Sequence, residues 1–154
     1  MKHATKHFYS GADKSYGDSM GNKKGYVVHL EEETKKNGLF RRVLYTGEHS
    51  QLVLMSIKPK DELGMEVHED NDQFFRIDSG EGKVIINGNE YAVKDGDGIV
   101  VPAGAQHNVM NTSAAGDLRL YTIYAPPHHK DGTVHRTKKD AMENEEEFEG
   151  KTTE

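Results

Sequence analysis

Short apolar or alternating stretches, separated by turn-forming residues, fill the middle of the chain and predict β-strands. Gln51–Lys58 reads QLVLMSIK and is largely apolar, which is typical of a strand buried on both faces, and Pro59 would end it. Leu118–Ala125 reads LRLYTIYA and predicts a long strand. Gln73–Asp78 alternates as QFFRID. If Gln73 points inward, Phe75 and Ile77 share its face, and Phe74 and Arg76 lie on the outer face.

Turn signals separate the remaining strands. Asn87-Gly88 stands between the apolar runs of Lys83–Val93, and this dipeptide favours a tight hairpin turn that needs positive φ angles. The other strand candidates are Tyr26–Leu30 and Leu39–Thr46, with a charged turn between them, and a hairpin made by Ile99–Val101 and His107–Asn111. Many short strands with Gly-rich turns indicate an all-β sandwich or barrel.

One segment combines such a turn with a chemically useful side chain. From Gly96 to Asn111 the chain reads G-x5-P-x-G-x2-H-x3-N. Glycine adopts backbone angles closed to other residues, and proline fixes φ, so this turn is rigid. His107 follows the turn at the start of a strand and would be held in one orientation, which suits a metal ligand better than a surface residue.

A related pattern lies upstream and is formed by Glu66, His68, Gln73 and Gly80. Together the two segments resemble the two conserved motifs of the cupin superfamily, over roughly residues 51–125. In the first motif Glu66 takes the place of a histidine, Gln73 the place of a glutamate, and Lys60 the place of a glycine. The resemblance implies an all-β fold, a single antiparallel cupin barrel of the double-stranded β-helix or jelly-roll type.

The ligand set that the resemblance implies is Glu66, His68, Gln73 and His107, around one divalent metal ion. Residues two apart on a strand share a face, so Glu66 and His68 would both point into the barrel, and Gln73 could face them across a hairpin. Two histidines and one carboxylate resemble the set that holds non-haem Fe(II), but Mn, Ni, Co and Zn also suit it. Gln73 would either bind the metal or hold a bound water.

Other polar residues near these motifs are weaker candidates. Asp70 and Asp72 lie in a loop, where a solvated turn or a loop-capping role is the favoured interpretation. Pro126 and Pro127 lead to a group of three histidines at positions 128, 129 and 135. Their spacing is weak evidence for a second metal site, and a loop folded over the barrel or onto a neighbouring subunit is the preferred hypothesis.

The resemblance implies an isomerase-like enzyme that acts on a polar, sugar-like substrate with a carbonyl or hydroxyl group. Isomerisation needs a base near the metal, and the candidates for catalysis are Glu66 and Gln73. Gln73 cannot accept a proton, and Glu66 could replace it only by leaving the metal. The alternatives are a non-haem Fe(II) dioxygenase and a barrel that binds a small ligand without turnover.

Composition narrows the class of protein. We expect one domain over residues 1–154, with a flexible N-terminal arm (1–25), a barrel core (39–126) and a C-terminal extension (127–154). The last part of that extension, residues 138–154, has seven acids and three lysines and predicts a solvated helix or frayed end. The remainder is nearly neutral, so no basic patch for nucleic acid is expected.

Several further expectations follow from residues that the chain lacks. It has no cysteine, which excludes disulfides and thiolate metal sites. It has no apolar run long enough to span a membrane and no apolar region of a secretory signal, so we expect a cytoplasmic protein without membrane contact. The cupin resemblance also implies a homodimer and a small-molecule substrate or ligand as the partners.

Overall fold

The structure is a computed structural model and describes residues 22–154. Most of the predicted N-terminal arm, residues 1–21, lies outside the described residues. The elements in chain order are α1 (Leu30–Lys36), β1 (Arg41–Thr46), β2 (Gln51–Ile57), β3 (Glu66–Val67), β4 (Asp72–Ser79), β5 (Glu81–Ile86), β6 (Asn89–Lys94), β7 (Gly98–Val101), β8 (Gln106–Asn111), β9 (Leu118–Ala125), β10 (Val134–His135) and α2 (Lys138–Glu143). Within the described residues no helix is long and apolar enough to span a membrane.

Two antiparallel sheets enclose the core, which confirms the predicted all-β barrel. The six-stranded sheet has the order β10-β1-β2-β9-β4-β7, and the four-stranded sheet has the order β3-β8-β5-β6. Apolar side chains from both sheets fill the space between them, and the fully buried ones include Val53, Met55, Phe75, Ile77, Val84, Val109, Leu118 and Leu120. Their burial supplies the main favourable free energy of folding.

Strands β2 and β4 follow the predicted pattern. β2 pairs with β1 and β9, and all of its side chains except that of Leu52 are buried. In β4, Gln73, Phe75 and Ile77 are buried as expected, while Phe74 on the opposite face is half-buried and touches the ring of Tyr121. The alternation of residues in this strand therefore predicted correctly that Gln73, Phe75 and Ile77 share the inner face.

The prediction that Ile99–Val101 and His107–Asn111 pair as a hairpin is wrong, although both segments are strands. β7 pairs with β4 in the six-stranded sheet, whereas β8 pairs with β3 and β5 in the four-stranded sheet. The turn between them therefore connects the two sheets. The chain changes sheet there because both strands carry inward apolar side chains that must face each other across the core.

The predicted strand Tyr26–Leu30 is also wrong. Val27 is 99% exposed, and a helix, α1, occupies the segment expected to be a charged turn. Glu31 bonds to Lys35 and Glu32 to Lys36, each at 2.6 Å, and such pairs four residues apart stabilise helices. Acids at the start and bases at the end also match the helix dipole.

Two tight turns have left-handed backbone angles. Asn87 and Gly88 have φ of 47° and 81° between β5 and β6, which confirms the predicted hairpin turn. Lys60, which stands where the cupin pattern has glycine, has φ of 62°. The glycine preference at this position is thus conformational, and the Lys60 ammonium holds the turn by donating to the Thr112 carbonyl at 2.6 Å.

The predicted helix of the acidic tail is present over Lys138–Glu143, but the residues after it are not a frayed end. Only α2 is helical, and its first turn is capped by Thr137, whose hydroxyl accepts the Asp140 N–H at 3.1 Å. The chain then returns over the barrel, where Glu147 bridges to His129 and the Thr153 N–H donates to the Thr46 carbonyl at 2.9 Å. The prediction from acidic composition is therefore correct for the helix, and the frayed end is wrong because backbone hydrogen bonds hold the residues after it against the barrel.

Candidate metal centre

The three candidate ligands with acidic or imidazole side chains come together at one end of the four-stranded sheet. Glu66 on β3 lies directly opposite His107 on β8, and His68 follows two residues after Glu66 on the same face. Opposed residues on antiparallel strands have neighbouring side chains. One ligand atom from each of these three residues lies within 4.8 Å of the others.

His107 is preorganised by the turn that precedes it. The turn is closed by the Ala105 N–H, which donates to the Pro102 carbonyl at 3.1 Å, and the Gly104 N–H donates to the His68 carbonyl at 2.9 Å. The His107 ring is 1% exposed and its Nδ1 lies 3.2 Å from the Ala105 carbonyl, so Nδ1 carries the proton. Nε2 is buried without a hydrogen-bond partner among the described residues and keeps a free lone pair.

The electrostatics of the cluster favour the ligand forms of His107 and Glu66. Burial lowers the pKa of His107, so its imidazole is neutral near pH 7. Burial also raises the pKa of Glu66, but the hydrogen bond from His68, at 3.2 Å between Nε2 and Oε2, and the nearby charges of His68 and Arg41 outweigh that effect. The pKa of Glu66 is therefore lowered, and its carboxylate is ionised.

Gln73 reaches the interior from the other sheet. It is 2% exposed on β4, and its amide nitrogen donates to the Thr122 hydroxyl at 3.0 Å. Its amide oxygen has no hydrogen-bond partner among the described residues. The expectation that Gln73 faces Glu66 and His68 across a hairpin is wrong, because β3 and β4 belong to different sheets. Its role as a ligand stays a prediction.

The two loop aspartates do not join the cluster. Asp72 caps the turn of the second motif, since its carboxylate accepts the Ala103 N–H at 2.9 Å. Asp70 is exposed in the loop between β3 and β4. The only group of three or more acidic or imidazole side chains with metal-binding spacing in residues 22–154 is Glu66, His68 and His107.

The histidines of the C-terminal extension do not form a second centre within the described residues, although the rings of His128 and His129 lie 4.7 Å apart. The His128 ring packs on the His68 ring at 4.3 Å between centroids. His129 is buried, and its Nε2 lies 3.2 Å from the Tyr124 hydroxyl. Burial is the main cause that lowers the pKa of His128 to about 4 and that of His129 to about 2, so both rings are neutral.

Sequence reasoning missed the neighbours of the cluster. Tyr124 is buried, its ring lies edge-on to His68 at 5.7 Å, and burial raises its pKa further above the usual value. The alternation of β9, with Leu120, Thr122 and Tyr124 on the inner face, was the available signal. The contact of His128 with His68 had no local signal, because it depends on the path of the chain after Pro127.

A surface cavity of about 260 Å³ opens beside the cluster. It is lined by His68 and His128, by loop residues 69–71, and by Glu147 and Phe148 of the returning C-terminal segment. It is large enough to admit a small molecule to the side of the cluster that His68 faces. The returning C-terminal segment therefore shapes the entrance to the candidate centre.

The cluster fits a divalent metal ion on its own donor chemistry. It offers two imidazoles and one carboxylate, a set used for iron and other first-row metals. The unpartnered Nε2 of His107 is the decisive observation, because a buried nitrogen acceptor without a partner is costly unless something binds it. The Ala105 carbonyl supplies the outer hydrogen bond that metal-binding histidines usually make.

Comparisons with known proteins agree with this geometry. The family model described as Cupin domain matches residues 53–124. The uncharacterized protein YrkC of Bacillus subtilis is 44% identical over 139 residues, which cover 86% of this chain and 72% of that protein. The uncharacterized protein L612 of Acanthamoeba polyphaga mimivirus is 45% identical over 112 residues, which cover 71% and 70%. The crystal structure of BH2720 from Bacillus halodurans superposes with a TM-score of 0.77 at 44% identity and covers 80% of this chain and 97% of that one.

Proposed function

The chain belongs to the cupin superfamily, and from that premise we propose that it is an enzyme with one divalent metal ion and a small polar substrate. The observation that carries this proposal is the cluster of Glu66, His68 and His107, in which His107 offers an unpartnered Nε2. These three residues would hold the ion. The candidate ions remain Mn, Fe, Ni, Co and Zn, because mixed nitrogen and oxygen donors suit all of them.

The proposed reaction is isomerase-like, on a sugar-like substrate with neighbouring carbonyl and hydroxyl groups. A bound metal ion would supply Lewis acidity toward those oxygens. The protein must then move a proton, and Glu66, the only carboxylate in the cluster, would have to leave the metal ion to accept it. Gln73 cannot accept a proton, so in this proposal its free amide oxygen positions the substrate or a water by accepting a hydrogen bond.

A second candidate is a non-haem Fe(II) dioxygenase. The specific observation in its favour is the composition of the cluster, two histidines and one carboxylate, without the additional histidine and glutamate of the usual cupin motif. Such a set leaves coordination positions for a chelating substrate and O₂. Ligand capture without turnover would be the interpretation if neither reaction is observed in metal-loaded protein.

Elemental analysis of the purified, tag-free protein tests the metal centre. We expect about one ion per chain in the parent, and much less in Glu66→Ala and His107→Ala, because each variant removes a ligand. His49→Ala is the matched control, since the His49 side chain is 95% exposed in a loop away from the cluster. Absence of metal in the parent after reconstitution, or equal metal in all four proteins, would refute the centre.

Activity assays then separate the two enzyme proposals. Protein loaded with Fe(II) is tested for substrate-dependent O₂ uptake, and protein loaded with Mn, Ni, Co or Zn for aldose–ketose interconversion. O₂ uptake that Glu66→Ala abolishes would favour the dioxygenase, and interconversion without O₂ would favour the isomerase. The homodimer stays a prediction, for which sedimentation velocity is the direct measurement.

A further inference from the structure

An arginine is buried next to the metal cluster, and one nitrogen of its guanidinium has no hydrogen-bond acceptor. Arg41 on β1 is 6% exposed, and no carboxylate among the described residues forms an ion pair with it. Its only hydrogen bond within those residues joins Nη1 to His135 Nδ1 at 3.2 Å, and its buried Nε has no partner. The Phe40 ring lies 5.3 Å from the guanidinium carbon, and the Arg41 charge lowers the pKa of Glu66, but neither neighbour accepts a hydrogen bond from the buried Nε. A buried donor without an acceptor is expensive, so it needs a reason.

His135 holds this guanidinium in place without neutralising it. The two residues lie opposite each other on β1 and β10, and His135 Nε2 donates to the Asn144 carbonyl at 3.1 Å. Nδ1 is therefore the unprotonated nitrogen and accepts from Arg41. His135 therefore supplies an acceptor for Nη1 of Arg41 and leaves Nε without one.

The free side of Arg41 faces a small cavity that it shares with Glu66. This cavity has a volume of about 60 Å³ and is also lined by Lys138, Ala141 and Met142 of helix α2, and the Met142 side of it meets the surface. One water takes roughly 30 Å³ in the liquid, so the space matches a group the size of a carboxylate. Glu145 also borders the cavity but makes no ion pair with Arg41 among the described residues.

We propose that Arg41 is the residue that recognises an anionic group of the substrate. The guanidinium would bind a carboxylate through Nε and Nη2, the two-pronged geometry that arginine prefers. The carboxylate would lie beside Glu66, so the adjacent carbonyl or hydroxyl oxygen would point toward the cluster. The substrate class is therefore a small 2-oxo or 2-hydroxy carboxylic acid. This inference rests on the proposed metal centre and adds the charge of its substrate.

Calorimetric titration of metal-loaded protein with pyruvate tests the proposal, with pyruvamide as its neutral counterpart. We expect pyruvate to bind and pyruvamide to bind at least tenfold more weakly, since a hydrogen-bonded charge pair is lost. Arg41→Gln should weaken pyruvate binding by about 10- to 100-fold. Arg42→Gln is the matched control, because Arg42 is the exposed neighbour on the same strand, and it should bind as the parent does.

Metal content and thermal unfolding are measured on the same samples, so that failure of the metal centre is seen separately. If Arg41→Gln does not fold, Arg41→Lys, which keeps the charge but not the fork, should still bind more weakly than the parent. The proposal is overturned if the metal-loaded parent ignores pyruvate at millimolar concentration. It is equally overturned if pyruvamide binds as tightly, or if Arg42→Gln and Arg41→Gln have the same affinity.

Discussion

His107 of the cluster and His135 of the C-terminal extension differ in how their ring nitrogens are used. His107 commits Nδ1 to the Ala105 carbonyl and leaves Nε2 free in the interior. His135 commits both nitrogens, one to Arg41 and one to Asn144. Both rings are buried, so burial alone does not separate them. The difference teaches that a ligand histidine is recognised by a free, oriented nitrogen, and a structural one by two satisfied nitrogens.

The largest expected effect is on the stabilisation that a bound metal gives. Removing the ion with a chelator should lower the melting temperature of the parent by about 5–10 °C, because an ion at 100 times its dissociation constant stabilises by about 2.7 kcal/mol. His107→Gln should lose this shift, because the free nitrogen is gone. His135→Gln should keep it, although its starting stability is lower. Scanning calorimetry with and without chelator measures all three.

The comparison breaks if His135→Gln, folded before heating, melts at the same temperature with and without the chelator. It breaks as well if His107→Gln retains the full shift. Metal content measured before and after chelation excludes a trivial difference in loading. His49→Gln, on the exposed loop, completes the series as a surface control.

A smaller effect is expected in the pH dependence of stability. Burial, and then the charge of Arg41, lower the pKa of His129 to about 2, whereas the unfolded chain has an ordinary histidine near 6.5. Between these values the unfolded state binds one more proton, so stability falls as the pH decreases below about 6.5. His129 alone accounts for about 2.5 kcal/mol of this loss between pH 7 and pH 4.5.

His129→Gln should therefore be less stable than the parent at pH 7 but lose less on acidification. Urea unfolding of metal-free protein at pH 7 and pH 4.5 gives both numbers. His49→Gln should follow the parent, since its side chain is exposed. If His129→Gln lost as much free energy of unfolding on acidification as the parent does, the buried His129 ring of the parent would take up a proton without unfolding.

The smallest expected effect is on metal affinity and concerns two buried glutamines. Like the two histidines, they differ in whether a polar atom is left without a partner. Gln51 uses both ends of its amide, since its nitrogen donates to Thr46 and its oxygen accepts the His129 N–H at 2.9 Å. Gln73 leaves its oxygen free. Gln73→Leu should weaken metal binding about tenfold, as loss of an outer partner does, whereas Gln51→Leu should lower stability instead. Competition titration with a metal-binding dye measures the affinity, and equal affinities for both variants would contradict the assignment.

The part of the site that could be predicted from the sequence is the part set by local geometry. The spacing of Glu66 and His68 fixes a shared face, and the turn before His107 fixes its ring, so the three residues meet as expected. The hairpin at Asn87-Gly88 and the alternation of β4 were likewise local. These features need only backbone preferences over a few residues.

The parts that could not be predicted depend on distant partners. Arg41 meets His135 across 94 positions, and no local pattern announces that pair. The assignment of β7 and β8 to different sheets follows from packing of the whole core. The error at helix α1 has a different cause, because the pairs of Glu31 with Lys35 and Glu32 with Lys36 can be read from local spacing. The segment was predicted as a turn because β-forming residues precede it.

The position of these residues along the chain has a consequence for how the centre can be tuned. Glu66, His68 and His107 lie inside the stretch shared with the cupin family model, whereas Arg41, His128 and His135 lie outside it. A substitution at Arg41 or His128 would leave the three ligand positions intact and still change the charge beside Glu66 or the ring packed on His68. Segments outside the family stretch can thus tune the centre without supplying any of its ligands.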